Sequence, residues 1–589
     1  MPRNLSNHIK LRFKGFDKRQ LSLSIRQQLF IFSVLINFLF IPLGIASPNE
    51  GSRYLLTKTI VINNSFSWPA NWANNSTGYW FFPDFGINQG YISDLAPGLS
   101  FILVPFYILG KILYGILGGP VISSNAYYSQ FDSFIIYFLK IMLVFLAGYT
   151  TVKLFDLLNL LSPNKIQNII ITIIASFGTL FFLYTPTLLP TLLTGFLYIS
   201  IIFYLIKFDT DGKKSDLVLA GIFSGFAVVV EYGSLVMIPW FIWYLLSKEL
   251  IISKKIRYKD LFLYVGTFIL GILPFFVYNF YLSGNPLQTG YSFSHWFSQI
   301  NFYFNIVSGL IVLFFDINKG LFIFNPILLL ACFGFLNRSY FKVHAREVIL
   351  VVMPCIAFII FYAKNFDPTG GTIVGPRYII PLIPILAIGL QGWFLFKNKI
   401  LICLNSFFIF ISFLNTILTV LGIGIFPSNN EINPIYSDSI PNILKMKFNP
   451  ILFKTNLLLC ILISIFIIAA IIILNYNQYI IFINYLIKKT FSELQFVSVQ
   501  DEIHISETTS LLNSQQQKTL LFSTLWLFIL FLIGFFVFGI EFLSRGYYPN
   551  VQLNGLSDTS LIELLIILSS LLTINEYSSF NLKKFIKGG

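Results

Sequence analysis

Charge is scarce in this chain. Only 11% of its 589 residues are Asp, Glu, Lys or Arg, and its mean hydropathy is +0.77. Ordinary soluble domains carry about 25% charged residues. So little polar side chain cannot coat a soluble surface of this size, which excludes a string of globular domains. The 67 Phe among abundant Ile and Leu exclude disorder. Too few Glu and Lys are present for a coiled coil. Cysteine is equally sparse. Cys332, Cys355, Cys403 and Cys460 each lie in an apolar stretch and form no CxxC pair, so they read as small buried hydrophobes, not as metal or redox groups. Of the four histidines, His295 and His344 have no His or Cys neighbour at ligand spacing. No Walker loop, GxSxG elbow or HExxH occurs, so no P-loop ATPase engine lies in this chain.

Long apolar runs are what the chain has in excess, at 56% hydrophobic residues. They predict an all-α polytopic membrane protein with thirteen or fourteen transmembrane helices. The runs fall at 29–46, 133–152, 167–184, 188–206, 217–230, 233–247, 261–281, 318–336, 347–363, 378–396, 400–425, 451–474, 519–541 and 559–575. A membrane β-barrel would need short alternating segments instead. The stretch 217–247 reads as two short spans turning near Glu231 and Gly233.

The net charge of +14 raises the question of nucleic acid. Its distribution answers it. Most of the 39 Lys and Arg fall in segments that this topology places inside, among them the basic tail 1–28 and Lys254–Lys259. The asymmetry orients the chain in the plasma membrane with the N-terminus cytoplasmic, and no nucleic-acid partner is needed. Leu99–Gly119 is apolar enough to span, but counting it would invert every later loop. It is expected to lie on the outer face, within a large outer loop, 47–132. That loop holds Asn-x-Ser/Thr acceptors at Asn63, Asn74 and Asn75. Three regions result: the tail 1–28, a membrane module 29–396, and a C-terminal membrane region 397–589 with a polar cytoplasmic linker at 475–518.

Several polar residues stand at outer span ends. Glu50 follows the first span and is either a cap paired with Arg53 or a functional carboxylate. Asp94, in Tyr91-Ile92-Ser93-Asp94-Leu95-Ala96-Pro97-Gly98, is either the N-cap of the next helix or a carboxylate aimed at a substrate. Lys140 lies inside a span, where a lysine needs a cavity or a partner. Glu231 is its possible partner, in a structural or a functional pair. Arg377 closes Gly370-Gly371-Thr372-Ile373-Val374-Gly375-Pro376, next to Tyr378. It can anchor at the interface or form a two-bond fork to a phosphate.

The order of Asn49-Glu50-Gly51-Ser52-Arg53-Tyr54, Gly90–Ser100, Gly284–Tyr291, Lys319–Pro326 and Gly370–Tyr378 resembles the membrane-embedded GT-C glycosyltransferases. The nearest group is the bacterial and archaeal relatives of the protein O-mannosyltransferases and the lipid A aminoarabinose transferase. The resemblance covers about residues 29–395. It implies a GT-C-like fold with juxtamembrane helices in the first outer loop. It also implies transfer of a sugar from a polyprenyl-phosphate donor to a protein, lipid or glycan acceptor at the outer face, among membrane lipids. Glu50 and Asp94 are the implied catalytic carboxylates, and both are candidate ligands of a divalent cation. Arg53, Tyr91, Lys140, Glu231, Arg377 and Tyr378 are the candidate substrate-binding residues. The family often carries Asp-Glu where this chain has Asn49-Glu50, and a lysine where it has Asp94. Two other readings stand beside this one: a transporter or flippase of a lipid-linked or anionic substrate, with Lys140 and Glu231 as a midplane pair, and an inert GT-C-like protein.

Overall fold

Ser24 caps the first apolar helix. Its hydroxyl accepts from the Gln27 N–H, and the Gln27 side chain accepts from the Ser24 N–H, a reciprocal capping box. The computed structural model describes residues 24–42, 44–45, 47–68, 81–83, 91–117, 130–248, 258–292, 305–365, 367–396, 399–427 and 432–450. The expected spans beyond residue 450, the linker 475–518, the tail 1–23, Asn74, Asn75, His295 and Cys460 lie outside these residues, as does the side chain of Cys403.

The elements follow in order. They are α1 (Ile25–Leu39), α2 (Pro48–Asn63), β1 (Phe81–Pro83), β2 (Tyr91–Ser93), α3 (Gly98–Ile116), α4 (Gln130–Leu161), α5 (Lys165–Phe177), α6 (Leu180–Tyr184), α7 (Thr191–Asp211), α8 (Lys214–Val230), α9 (Ile238–Lys248) and α10 (Tyr258–Ser283). Then come α11 (Ile306–Phe315), α12 (Leu321–Phe324), α13 (Ile327–Phe335), α14 (Arg338–Ala363), α15 (Ile383–Leu386), α16 (Leu390–Trp393), α17 (Lys399–Gly422) and α18 (Ile440–Leu444). Among the described residues, six helices are long and apolar enough to cross a membrane: Gly98–Ile116, Phe131–Leu161, Thr191–Asp211, Tyr258–Ser283, Arg338–Ala363 and Leu404–Gly422. The chain is a polytopic helical membrane protein.

α7 is the central helix. Almost every residue from Thr191 to Ile206 is buried, against α4, α8 and the turn that begins at Arg377. α8 and α10 approach closely through Gly221, Gly225 and Gly271, where an added Cβ would meet the facing backbone. α8 ends at Glu231, whose backbone is extended, and a 3₁₀ turn (Tyr232–Met237) leads into α9. The break expected near Glu231 therefore exists.

Other expectations need correction. The run 318–336 is not one span. Asn325 and Pro326 split it into α12 and α13, and the nine residues of α13 reach only about 14 Å. The run 378–396 is not one helix either. Pro381 and Pro384 lie within it, and it alternates 3₁₀ and α turns from Arg377 to Trp393, almost wholly buried. The segment 282–317 contains α11, and 426–450 contains a π turn (Ile435–Ser439) running into α18. One antiparallel ribbon departs from the all-α expectation: β1 pairs with β2 in the register Phe82↔Ile92. Within Leu99–Gly119 the described residues form α3 (Gly98–Ile116), packed on α2 and α4, and its length and hydropathy fit a crossing as well as a surface-lying helix.

The start of α3 is wedged against the end of α8. A Cβ on Gly98 would come to 2.6 Å from Val230 Cγ2 and 2.7 Å from the Val230 nitrogen. Backbone cannot yield as a side-chain tip does. Gly98→Ala is expected to cost about 1–3 kcal/mol, seen as a lower unfolding midpoint in detergent. An unchanged midpoint would show that this junction is loose.

Candidate functional site

Ser47 caps α2 through the Glu50 N–H at 3.0 Å, with Pro48 at the first helical position. This turns the Glu50 side chain inward, to zero exposure. Its Oε1 accepts from the Leu188 N–H at 2.7 Å, and Lys140 Nζ stands 4.0 Å away. The same ammonium donates to the carbonyls of Pro42, at 3.4 Å, and Gly44. Glu50 thus lies inside the protein, against Lys140 and the Leu188 N–H. The expected Lys140–Glu231 pair does not form, because α2 brings Glu50, not Glu231, against Lys140 of α4.

Arg53, one turn further along α2, reaches a different place. Its Nη1 donates to the Asn49 carbonyl at 2.9 Å, while Nε, in a side chain only 5% exposed, has no partner. Arg53 lines a small cavity with Glu231, Tyr291, Arg377, Tyr378 and the turn Leu189-Pro190-Thr191. The free space is about 20 Å³, room for a water molecule.

Arg377 is delivered to this cavity by its glycine loop. The Asp367 carboxylate gathers the N–H groups of Thr369, Gly370 and Gly371 at 3.1, 3.2 and 2.5 Å. Gly370 and Gly371 take φ of +88° and +100°, which only glycine adopts cheaply. Lys319 Nζ ties the loop down through the Gly371 carbonyl at 2.8 Å, and the Arg377 N–H donates to the Thr369 carbonyl at 3.0 Å. The Arg377 guanidinium lies 5.0 Å from the centre of the Tyr378 ring. Tyr378 stacks on Tyr362 at 4.3 Å, and the Tyr362 hydroxyl donates to Glu231 Oε1 at 2.5 Å.

Asp94 does not cap α3, whose N-cap is Pro97 with no side-chain bond. Ser93 does the local bracing instead, its Oγ accepting from the Leu95 N–H at 3.2 Å. Asp94 is 2% exposed, and its Oδ1 has no partner. Burial pushes its carboxyl up to about 7, against the pull of its own N–H and of Arg53. Burial likewise raises Glu231, against the Tyr362 hydroxyl, Arg53 and Arg377. Burial brings the Arg53 guanidinium down to about 10, with Arg377 adding to this and Tyr291, Glu231 and Asp94 opposing it. Among the described residues, neither Arg53 nor Arg377 stands within 4 Å of a carboxylate oxygen.

The structure thus brings together Arg53, Glu231, Arg377 and Tyr378, with Asp94 beside Arg53. It sets Glu50 and Lys140 apart as a buried clasp. Tyr91 pairs its backbone with Trp68 in both directions at 2.9 Å and does not line the cavity. Sequence reasoning missed Tyr291, Tyr362, Asp367 and Lys319. Two of these carried a signal, since Tyr291 ends the Gly284–Tyr291 segment and Lys319 opens Lys319–Pro326.

A divalent cation does not fit these residues. No three His, Cys, Asp or Glu come together among the described residues. Glu50 faces an ammonium, and Asp94 faces a guanidinium.

No family model matches the chain, and no curated protein sequence matches it. Solved structures do. ArnT from Cupriavidus metallidurans, bound to undecaprenyl phosphate, matches at 12% identity and a TM-score of 0.38, over 64% of this chain and 60% of that one. The Archaeoglobus fulgidus oligosaccharyltransferase in complex with Zn and sulfate matches at 13% and 0.42, over 67% and 53%. The oligosaccharyltransferase AglB of Archaeoglobus fulgidus, with an inhibitory peptide and a dolichol-phosphate, matches at 10% and 0.40, over 67% and 56%. The match takes in between half and three fifths of the length of these proteins.

Proposed function

We propose that this chain is a glycosyltransferase that moves a sugar from a polyprenyl-phosphate donor to a hydroxyl acceptor at the outer face of the plasma membrane. The observation that carries the reading is the pair of guanidinium groups, Arg53 and Arg377, on one cavity with no carboxylate in ion-pair reach. Their charge is available to an anion. A transporter reading rested on a Lys140–Glu231 pair, which is absent.

The chemistry follows from the groups present. The leaving group is a lipid phosphate, already stable as an anion, so it needs cations more than an acid. Arg53 and Arg377 bind its oxygens as the bond from the anomeric carbon to phosphate oxygen breaks. Glu231, on the cavity wall, takes the proton of the acceptor hydroxyl as that oxygen bonds to the anomeric carbon. One displacement of this kind inverts the anomeric centre. A sugar does not fit in about 20 Å³, so the walls part for the donor to enter.

The test is release of free polyprenyl phosphate from polyprenyl-phosphate hexoses by the full chain in detergent, with Glu231→Gln as control. Glu231→Gln is expected to lose about 100- to 10,000-fold in rate. No release with any donor would remove the reading.

The pH dependence carries a sign. Asp94 titrates at about 7. Below that it is neutral and leaves Arg53 free for phosphate; above it, its charge competes for the same guanidinium. The donor KM is therefore expected to rise as pH passes through about 7, and Asp94→Asn should flatten that limb. A limb that survives in Asp94→Asn would assign it to another group.

A further inference from the structure

α7 begins at the cavity. Leu189, Pro190 and Thr191 form part of its wall, and Leu189 and Thr191 are 2% and 1% exposed. In any α-helix the first N–H groups lack a partner within the helix. Here the Thr194 N–H bonds back to the Pro190 carbonyl at 2.8 Å, which leaves the N–H groups of Thr191, Leu192 and Leu193 without an intrahelical acceptor. No side chain caps them, and no acidic residue stands in the first turn. The helix is 21 residues long, so its dipole is fully developed at this end.

A helix start alone is no site. The second observation is Arg53, whose side chain is 5% exposed, lines the same cavity and holds its Nε without a partner. One face of the cavity thus offers two kinds of unfilled donor. The turn before α7 is fixed from behind, because the Leu188 N–H is held by Glu50 at 2.7 Å.

We infer that the N-terminus of α7 and Arg53 form one anion subsite, in which first-turn main-chain N–H groups and Arg53 Nε bind the oxygens of a phosphate ester. The inference deepens the proposed glycosyl-transfer reading and rests on it where the phosphate is taken as the donor's. The ligand class is a phosphate ester or free phosphate, since both present the same oxygens to N–H donors. Arg377 then closes the opposite side of the phosphate and bears on the leaving oxygen.

Thr191→Pro tests this, because it deletes one main-chain donor without changing charge, and a first helical turn tolerates proline. Thr191→Ala is the control that removes the side chain and keeps the N–H. The full chain in detergent is titrated with a short-chain polyprenyl phosphate and, separately, with inorganic phosphate. A lost hydrogen bond to a charged group corresponds to about tenfold or more in affinity. Binding about tenfold weaker in Thr191→Pro, with Thr191→Ala close to wild type, supports the subsite. Equal binding in the two variants overturns it, and the glycosyl-transfer reading stands if Arg377→Ala still loses the lipid. If Thr191→Pro fails to fold, Thr191→Glu and Thr191→Gln decide. Glu at least about tenfold weaker than Gln supports the subsite, and equality overturns it. Inorganic phosphate bound as tightly as the lipid supports the subsite and overturns the lipid-donor reading. Failure of the wild type to bind either probe overturns both.

Discussion

Arg377→Ala lowers kcat/KM for a polyprenyl-phosphate donor by about 100- to 1,000-fold and leaves the fold intact. The size follows from where the charge sits. A positioned donor that meets developing negative charge in a cavity shielded from water contributes on the order of 100- to 1,000-fold in rate. The fold survives because the loop does not depend on this side chain. Asp367 gathers its N–H groups, Lys319 ties its Gly371 carbonyl, and the Arg377 N–H to the Thr369 carbonyl is main chain. Alanine keeps all three. Arg377→Lys recovers only part of the loss, since an ammonium cannot make the two parallel bonds of a guanidinium. Donor kinetics beside the unfolding midpoint provide the check. An alanine variant within about threefold of wild type would reduce Arg377 to an interfacial anchor.

What the sequence reveals depends on the range of the interaction. The long apolar helices are local in origin: their hydropathy predicts α7 and α10 to within five residues of the observed bounds, and it finds α4 and α14 but misses the last nine residues of α4 and the first nine of α14. Short buried pieces are harder to read. The chain from Arg377 to Trp393 is as apolar as a span, and only its prolines hint that it packs as broken turns inside the protein. The breaks at Glu231 and Arg377 are visible because glycine and proline accompany charge there. Partnership is not visible. Lys140 and Glu50 are 90 residues apart, and Glu231 is about as far from Lys140 on the other side. Nothing in the sequence says which carboxylate the folded chain brings to the ammonium. The N-terminus of α7 escapes a sequence reading for a related reason. Its donors are main chain, and Leu189-Pro190-Thr191 contains no residue type that flags an anion.

The second large effect concerns that pair. Glu50→Gln alone and Lys140→Met alone are each expected to destabilise the protein by about 3–5 kcal/mol, because each leaves one buried charge without its counterion. Both side chains have zero exposure, so water cannot take the partner's place. The double variant Glu50→Gln, Lys140→Met removes both charges and should return to within about 1–2 kcal/mol of wild type. Glutamine suits this test because its amide oxygen can still accept the Leu188 N–H that Glu50 Oε1 holds at 2.7 Å. Unfolding midpoints in detergent give the stabilities, and the rate per folded molecule gives the chemistry. A carboxylate that takes the acceptor's proton predicts the opposite pattern. Glu50→Gln would then fold as wild type and lose about 100- to 10,000-fold in rate, and the second substitution would not restore it. A double variant as unstable as either single one would also refute the clasp, since the two charges would then not be compensating each other. If the double variant regains both stability and most of its rate, Glu50 acts by holding the start of α2 and the turn before α7. Those two segments carry Arg53 and the Leu189–Thr191 wall, so the clasp sets the shape of the cavity from outside it.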